Sequence, residues 1–481
     1  MANHQPQPLR LRPSEHRALL FVGDMLMAIV SVFAAIYTFQ EYRRYQFVAD
    51  DLRPRVIEQL MQNNFIPFWF YLLPIAWFLL MIELYEPHTA ANLRKTIRGI
   101  VISAFVGLVI YSLVFILRAE PGSLPRVGFG AFLLYSSLLT LLWRSLYIRF
   151  YTSPGQLRHF LVVGAGKAGH TLAEAYLVQN PPPFKLVGFL DDDPQKLGKS
   201  VCSFPVISQS FELLNLIETY KISDIVVAVS GEIQGATFQT ILDAQEQGVE
   251  VTRMPTLYEE MVGRVPIHHL ESDWIIRSFT DQARVSGMYL LVKRILDIIG
   301  GLAGLLVFFI SFPLVALATI IDSGLPIFYS QPRLGQGGKF FKIYKYRTMR
   351  KDAEADGEVR PTEENDPRVT RVGNILRKTH MDELPQFWNV LHGEMSLVGP
   401  RAERPELVQA FQKKVPFYRA RLLAKPGLTG WAQINYGYVA TVKDTEVKIE
   451  YDLYYIKHRS LPMDLNIILR TISTVLSRSG R

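Results

Sequence analysis

The first 150 residues of the chain contain four long apolar runs that are separated by shorter polar stretches. The runs cover approximately residues 19–39, 65–85, 97–117 and 127–147. Each approaches the roughly 20 residues that an α-helix needs to cross the hydrocarbon core of a membrane. A buried helical core is the alternative for any single run, but four runs in series predict a transmembrane helix bundle over residues 1–150.

A fifth apolar run, residues 295–321, has a different pattern. Three glycines lie in its first half, Pro313 lies beyond its midpoint, and Ser311 stands two residues before the proline. The length permits a full crossing at about 1.5 Å per residue, but proline removes a backbone donor and kinks a helix. A helix that enters the membrane, bends near Ser311 and Pro313 and returns to the same face fits equally well, so the pattern leaves both topologies open.

Residues 151–285 alternate between short strand-like and helix-like stretches, which indicates an α/β domain. An apolar strand ending at Val163 leads directly into Gly164, Gly166 and Gly169, and the next strand ends in Asp191, about twenty residues further on. This spacing is typical of a Rossmann-like, dinucleotide-binding unit, whose glycines approach phosphate and whose acid meets a ribose. Fold alone does not establish function. No hydride-transfer machinery is visible, so we favour nucleotide sensing or scaffolding over redox catalysis.

Composition restricts the class of partner. The chain has 481 residues, which predicts about three domains. It is 49% hydrophobic, carries a net charge of +8 and has a single cysteine, Cys202. One cysteine excludes an intrachain disulfide and is typical of cytosolic soluble parts. The basic charge, together with the apolar runs, favours an anionic membrane surface or phosphorylated substrates over nucleic acid.

Asp382 and Glu383 are the most informative residues of the remaining part, residues 286–481. They form an adjacent carboxylate pair just after Arg377, downstream of the fifth apolar run. An Asp can attack phosphorus as a nucleophile, and an Arg can hold phosphoryl oxygens. A solvated helix face is the alternative for an isolated acidic pair. Beside basic residues and near a membrane, the pair suggests phosphoryl chemistry on a lipid.

Ordered motifs surround the acidic pair: KRILDI, FKIYKYRTM, DELPQFWNVL, SLVGPR and KPGLTGWAQI. Over residues 292–479 this set resembles the bacterial polyprenyl-phosphate hexose-1-phosphate transferases, which are monotopic phosphoglycosyl transferases. With the preceding bundle and nucleotide-type domain, the chain resembles the long form of that family, which starts exopolysaccharide, capsule or O-antigen repeat units. Two positions depart from the family pattern, namely Phe312 directly before Pro313 and Ala402 after Arg401. The first departure affects the detail of the helix break.

The resemblance implies a mixed α/β catalytic domain, residues 286–481, anchored by a re-entrant membrane helix. It implies that Asp382 attacks the β-phosphate of a UDP-hexose, expels UMP and holds the hexose phosphate as an acyl phosphate. Undecaprenyl phosphate then accepts the sugar phosphate. Glu383 is expected to be a base or a metal partner, with Mg²⁺ held by Asp382 and Glu383. Glucose and galactose are the expected hexoses, although the sequence does not identify the sugar.

The same resemblance assigns substrate contacts. Arg377, Arg401 and Arg347 are expected to bind phosphate, since Arg offers a planar fork of donors. Surface solvation is the alternative for Arg377 and Arg401. Trp431 and Gln433 either contact the nucleotide or pack in the domain.

The orientation follows from the substrate. An even number of spans places both ends of the bundle on one side, but basic residues occur on both sides, so their bias is weak. UDP-sugars are cytosolic, so the soluble domains are expected at the cytoplasmic face of a bacterial inner membrane, with the fifth run re-entrant. The rival hypotheses are a glycosyltransferase that releases UDP and a membrane-anchored nucleotide sensor that regulates polysaccharide assembly. A homodimer is left open.

Overall fold

The computed structural model describes residues 13–49, 66–85, 90, 92–117, 126–151, 157–180, 182–229, 231, 233, 235–270, 286–350, 353, 366–437 and 441–476. The chain divides into two compact units, Met1–Thr252 and Arg253–Arg481. The segment after Thr252 therefore groups with the carboxyl-terminal unit, whereas the predicted division lay at residue 285. The predicted three-domain boundaries stay a prediction, and residues 271–285 lie outside the described part.

The amino-terminal part of the first unit is a helical bundle. Its helices are α1 (Pro13–Ala49), α2 (Leu73–Leu80), α3 (Leu93–Leu117) and α4 (Arg126–Tyr151), with short 3₁₀ turns at Phe68–Leu72 and Ile82–Tyr85. Each of the four predicted apolar runs contributes to one core, for example through Val32, Trp77, Ile100 and Phe132. The four runs therefore pack together as one bundle.

The second run differs from the prediction of a full-length span. Its apolar helical part covers only Phe68–Leu80, and it begins as a 3₁₀ turn before α2 starts. Pro67 precedes the turn and Pro74 lies in the first turn of α2. Proline is favoured in the first turn of a helix and disfavoured further in, so each of the two prolines begins a new short piece of this run.

Within the described ranges, four helices are long and apolar enough to cross a membrane: Ala18–Gln46, Leu93–Ile116, Arg126–Phe150 and Gly287–Ser323. They indicate a membrane protein. The polar residue that interrupts the first run, Asp24, is buried and paired with Arg144 of α4, with 2.7 Å between Oδ2 and Nη2. Arg144 Nη1 also donates to the carbonyl of Leu84 at 2.8 Å. Pairing is the usual way in which a charge is accommodated within a membrane bundle.

The second part of the first unit is built around a six-stranded sheet. Its strands are β1 (His159–Val163), β2 (Lys185–Leu190), β3 (Ser200–Val201), β4 (Phe204–Ser208), β5 (Asp224–Val227) and β6 (Glu250–Arg253), in the order β3-β4-β2-β1-β5-β6. The strands β4, β2, β1 and β5 pair in parallel, and β3 pairs antiparallel with β4. The helices α5 (Lys167–Leu177), α6 (Leu213–Tyr220) and α7 (Gly235–Glu246) connect them. The predicted α/β region is confirmed.

The second unit combines helices with two small sheets. Its helices are α8 (Met254–Val262), α9 (Gly287–Ser323), α10 (Arg371–Lys378), α11 (Phe387–His392), α12 (Pro405–Phe411), α13 (Trp431–Asn435), α14 (Val442–His458) and α15 (Leu461–Leu476). The strands β7 (Phe328–Leu334) and β8 (Phe340–Tyr346) form an antiparallel hairpin, and β9 (Ser396–Val398) pairs in parallel with β10 (Gly427–Thr429). Apolar side chains of α14, β9 and α15, such as Leu453, Val398 and Ile467, share one core.

The long helix α9 lies against this unit through its glycines. A Cβ atom at Gly304 would lie 2.4 Å from ring carbons of Phe387, and one at Gly301 would lie 2.7 Å from Leu391. The glycines therefore allow α11 to pack closely on α9. The helix continues through Ser311 and Pro313 without interruption, although a break was predicted there. The re-entrant path stays a prediction.

Candidate active site

The acidic pair lies on a 3₁₀ turn, Met381–Gln386, that follows α10 directly. His380, in the left-handed region at φ 56°, separates the two elements. In a 3₁₀ turn with about 3.0 residues per turn, neighbouring side chains diverge by about 120°. The two side chains therefore leave the turn in different directions, and only Glu383 forms close ion pairs, with Lys345 and Arg401.

Glu383 is held by two cations. Its Oε1 lies 2.6 Å from Lys345 Nζ and 2.8 Å from Arg401 Nη2. Burial raises the pKa of Glu383, but Arg401 and Lys345 together outweigh burial and hold the pKa well below its usual range. The carboxylate is thus ionised at neutral pH. The Arg401 side chain is 42% exposed, so solvent weakens its share of this interaction.

Asp382 has a contrasting environment. The residue is only 8% exposed, and its closest cation is Lys345, whose Nζ lies 4.0 Å from Oδ2. Within the described residues no hydrogen bond fixes its carboxylate. Burial raises the pKa of Asp382 against the lowering influence of Lys345, and the neighbouring Glu383 raises it further. The oxygens of Asp382 are therefore available for a reaction partner.

Lys345 is the site residue that the sequence analysis missed. It lies on β8, and it is the cation that both carboxylates share. A signal was present in the strand, because Lys345 has the same parity as the buried Phe341 and Ile343. Side chains two residues apart on a strand face the same side. A lysine on the buried face of a strand requires a counter-charge, and here the acidic pair supplies it.

Of the two other predicted phosphate-binding arginines, Arg377 lies near the acidic pair and Arg347 lies at the end of α9. Arg377 donates from Nε to Thr348 Oγ1 at 2.9 Å, and its charge lowers the pKa of Asp382. Arg347 donates from Nη2 to the Ser323 carbonyl at 2.7 Å and to the Gly324 carbonyl. The structure thus brings Arg401 into contact with the pair, Arg377 into its electrostatic range, and Arg347 to the end of α9. Their binding of phosphate stays a prediction.

Trp431 and Gln433 have partners inside the unit. Trp431 Nε1 donates to the Gly263 carbonyl at 2.7 Å, and its ring lies 5.9 Å from that of Tyr454. Gln433 Nε2 donates to the Leu428 carbonyl at 3.1 Å. In the described part of the chain neither side chain forms a hydrogen bond with Asp382 or Glu383. Of the two readings for Trp431, packing has direct support, and a nucleotide contact is untested.

The glycine-rich turn after β1 is hydrogen-bonded to Asp191, the acid that follows β2. Asp191 Oδ2 accepts hydrogen bonds from the Ala165 backbone N–H at 2.8 Å and from Lys196 Nζ at 2.9 Å. Gly164 has φ 110°, and a Cβ there would lie 2.7 Å from the Ala228 carbonyl oxygen, so only glycine fits. Gly166 directly precedes α5, and Gly169 lies within it. Nucleotide binding by Gly164, Gly166, Gly169 and Asp191 stays a prediction.

The donor set for a metal is small. No group of three or more His, Cys, Asp or Glu residues is placed to hold a metal ion in the described ranges. Mg²⁺ commonly binds through one or two carboxylates, with water and substrate phosphates in its other positions. A Mg²⁺ ion at Asp382 and Glu383 stays a prediction, and such an ion would take most of its ligands from water and a substrate diphosphate.

Two protein families match parts of the chain. Residues 288–478 match the family described as bacterial sugar transferase, and residues 81–255 match a CoA-binding domain family. A UDP-N-acetylgalactosamine-undecaprenyl-phosphate N-acetylgalactosaminephosphotransferase of Aeromonas hydrophila is 39% identical over 48% of this chain and 53% of its own length. A UDP-glucose:undecaprenyl-phosphate glucose-1-phosphate transferase of Escherichia coli (strain K12) is 43% identical over 39% of this chain and 41% of its own length.

A third relative is covered almost completely. An exopolysaccharide production protein of Rhizobium leguminosarum bv. phaseoli is 40% identical over 40% of this chain and 98% of its own length. The match to the first two relatives spans about half of their length or less. All three matches nevertheless agree with the family found for residues 288–478, where the acidic pair lies. The chain belongs to the bacterial sugar transferase family.

Proposed function

We propose that the chain transfers hexose-1-phosphate from a UDP-hexose to undecaprenyl phosphate and releases UMP, as the first membrane step in the synthesis of an exopolysaccharide, capsule or O-antigen. The names of the relatives support the substrate class, because two of them act on a UDP-sugar and undecaprenyl phosphate. The observation that carries the proposal is the asymmetry of the acidic pair. Glu383 is fixed by two cations, whereas the buried Asp382 keeps its oxygens free.

In the first half of the reaction, an Asp382 carboxylate oxygen attacks the β-phosphorus of the UDP-hexose. The bond between this phosphorus and the oxygen that bridges to the α-phosphorus breaks, and UMP leaves with the bonding electrons. The hexose phosphate is then held as an acyl phosphate on Asp382. Covalent catalysis of this type divides one difficult transfer into two easier steps.

In the second half, a phosphate oxygen of undecaprenyl phosphate attacks the same phosphorus. The acyl phosphate bond breaks, the Asp382 carboxylate is regenerated, and undecaprenyl-diphosphate-hexose is formed. The raised pKa of Asp382 makes its carboxylate more basic and therefore a better nucleophile than an ordinary Asp, once it is deprotonated.

The cations around the acidic pair offset the negative charge of the carboxylates and of the substrate diphosphate. Lys345 lies near both carboxylates and offsets the negative charge that a diphosphate brings to the site. Glu383 orients Lys345 and Arg401, and Arg401 and Arg377 are positioned to hold phosphoryl oxygens. A Mg²⁺ ion held by Asp382 and Glu383 would act as a Lewis acid on the diphosphate.

The contacts of α9 support the re-entrant path. On one side of Pro313, Lys293 Nζ donates to the Val398 carbonyl at 3.0 Å. On the other side, Asp322 Oδ2 accepts from the Val372 N–H at 2.9 Å. A straight helix between these residues would rise by about 44 Å. If it crossed the roughly 30 Å of hydrocarbon, its two ends would lie beyond opposite faces of the membrane. One unit touches both ends, so we place both on the cytoplasmic face of a bacterial inner membrane.

Cysteine labelling tests the topology. A single cysteine introduced at Gln336, in a variant whose Cys202 is replaced by serine, should react with a membrane-impermeant thiol reagent only in inverted vesicles. Labelling from the periplasmic side of intact cells would contradict re-entry.

Intact-mass measurement tests the reaction. The purified full chain is incubated with UDP-glucose, UDP-galactose or UDP-N-acetylgalactosamine in the absence of lipid. The wild type should gain the mass of one sugar phosphate with at least one donor, and Asp382→Asn should gain none. Asp193→Asn, a change of the same kind in the sheet region, should load like the wild type. If Asp382→Asn turned over normally, the nucleophile assignment would be wrong. Release of UDP in place of UMP would favour the rival glycosyltransferase.

A further inference from the structure

Arg347 is a buried cation whose hydrogen-bonding capacity is only partly used. It is 7% exposed. One nitrogen, Nη2, donates to the carbonyl and hydroxyl oxygens of Ser323, at 2.7 and 3.1 Å, and to the Gly324 carbonyl. Its Nε and Nη1 are buried and have no hydrogen-bond partner among the residues that the structure describes. All three acceptors are neutral, so within that part of the chain the positive charge has no carboxylate to balance it.

Such an arrangement is costly in a resting protein. A buried charge without a counter-ion destabilises the folded state, and each unsatisfied buried donor adds to that cost. Buried charges in proteins are therefore paired as a rule. The free donors of Arg347 indicate that an anion completes the site in another state of the enzyme, and a guanidinium is well suited to phosphate oxygens.

The position of Arg347 selects the kind of anion. Ser323 is the last residue of α9. Large apolar side chains stay exposed up to this end, as Leu317, Ile321 and Leu325 are 58%, 77% and 60% exposed. An exposed apolar surface of this kind on a candidate membrane helix faces lipid. Arg347 therefore lies where the lipid-facing surface ends and the polar part of the unit begins.

The same arginine is close to the acidic pair along the chain. Lys345, which contacts Glu383, precedes Arg347 by two residues, or about 7 Å of extended backbone. Thr348 follows Arg347 and accepts a hydrogen bond from Arg377. A molecule with an apolar tail on α9 and a phosphate at Arg347 would bring that phosphate towards Asp382 from the membrane side.

We propose that Arg347 binds the phosphate monoester of the acceptor lipid, and not the diphosphate of the sugar donor. The inference rests on the proposed function and deepens it, since it divides the three arginines between the two substrates. Arg401 and Arg377 act on the donor at the acidic pair, whereas Arg347 holds the acceptor at the end of α9.

The two half-reactions separate these roles. For Arg347→Lys and Arg347→Ala, loading with sugar phosphate from the UDP-sugar should stay within about twofold of the wild type. The KM for undecaprenyl phosphate should rise by about 10- to 100-fold, as expected for loss of a hydrogen bond to a charged group. Arg419→Ala, at an exposed arginine of the same unit, should leave that KM unchanged. Normal loading also shows that a variant is folded. Equal loss of loading and transfer, or an unchanged KM, would overturn the assignment.

Direct binding makes the test independent of turnover. The full chain in nanodiscs is titrated with undecaprenyl phosphate, undecaprenol, inorganic phosphate or phosphatidylglycerol, and bound lipid is counted by native mass spectrometry. Tight binding of undecaprenyl phosphate alone, weakened by Arg347→Lys, supports the proposal. Equal binding of inorganic phosphate or phosphatidylglycerol, or of undecaprenol, overturns it. If the wild type binds the lipid phosphate through Arg347 but never gains a sugar phosphate, then the proposed reaction fails while this site stands.

Discussion

The acidic cluster after β2 and the acidic pair on the 3₁₀ turn differ in how their carboxylates are satisfied. Asp191 accepts hydrogen bonds from two backbone N–H groups and Lys196, and Asp192 accepts from Ser210 and Thr237. Burial raises the pKa of each, but these bonds outweigh it and leave both pKa values below the usual one. Asp382 has no such bonds within the described residues, and its pKa is raised.

The difference separates two uses of an acid. A carboxylate whose oxygens are saturated with donors stabilises a loop, because its ionised form is already solvated by the protein. A buried carboxylate that lacks donors keeps its lone pairs available and is costly to ionise. Perturbed acids of this second kind are concentrated at functional sites. Sequence alone shows acids in both regions and does not distinguish them.

Removal of the Asp382 charge should have the largest effect on activity and no cost in stability. Asp382→Asn should lower turnover by at least about 10³-fold, as for the loss of other covalent nucleophiles. Because the folded-state pKa is raised, the ionised carboxylate destabilises the fold above the pKa of the unfolded chain, so the Tm should be unchanged or higher. Activity and thermal melting check this. A large fall in Tm would contradict the contrast drawn with Asp191.

Glu383→Gln should have a smaller effect on turnover and a larger effect on stability. Lys345 and Arg401 would lose their shared carboxylate, so turnover should fall about 10²-fold and stability by about 1–3 kcal/mol. The pKa of Glu383 is lowered, so its stabilising contribution is present above the unfolded pKa and is lost as pH falls towards the folded value. Chemical denaturation at neutral and acidic pH measures this. Glu394→Gln in the same unit is a matched control for turnover.

The pH dependence of sugar-phosphate loading should show the effect of Lys345 on the pKa of Asp382. Loading requires the ionised Asp382, so its rate should rise with pH through the raised pKa of that carboxyl, above the roughly 3.9 of an ordinary Asp. Lys345 lowers the pKa of Asp382. Lys345→Met should therefore move the acid limb to higher pH. At a fixed pH below that limb, the rate should fall about tenfold for each pH unit by which the limb moves. Rapid-quench loading across pH measures the acid limb in the wild type and in Lys345→Met. An unchanged limb would contradict the influence of Lys345 on the pKa of Asp382.

Asp191→Asn should have the smallest effect, and on stability alone. Loss of its charged hydrogen bonds should cost about 1 kcal/mol at neutral pH, and loading should be unchanged. Its pKa is lowered, so this contribution is present above the unfolded pKa and disappears as pH falls through the folded one. Urea denaturation and the loading assay measure the two quantities. A loss of loading in this variant would show that the two clusters are linked in function.

The sequence predicted the elements whose signals are local. The apolar runs, the glycine turn after β1 and the acidic pair were each visible in a few consecutive residues. The shortening of the second run at Pro67 and Pro74 is also a local signal, although the length of the apolar run alone predicts a full span. The role of Lys345 depends on the pairing of β8 with a turn far along the chain. The free donors of Arg347 depend on which acceptors surround it. Alternation within β8 points to the buried face for Lys345, but residue spacing reveals neither its acidic partners nor the acceptors around Arg347.

The ion pair between Asp24 and Arg144 has a consequence for dissecting the protein. It joins the first and fourth helices of the bundle, so a truncation that removes α1 alone would leave a guanidinium without its counter-ion inside the hydrocarbon region. Such a fragment is expected to insert poorly or to recruit a substitute anion. The bundle is therefore best kept or deleted as a whole, with any shortened version beginning after α4.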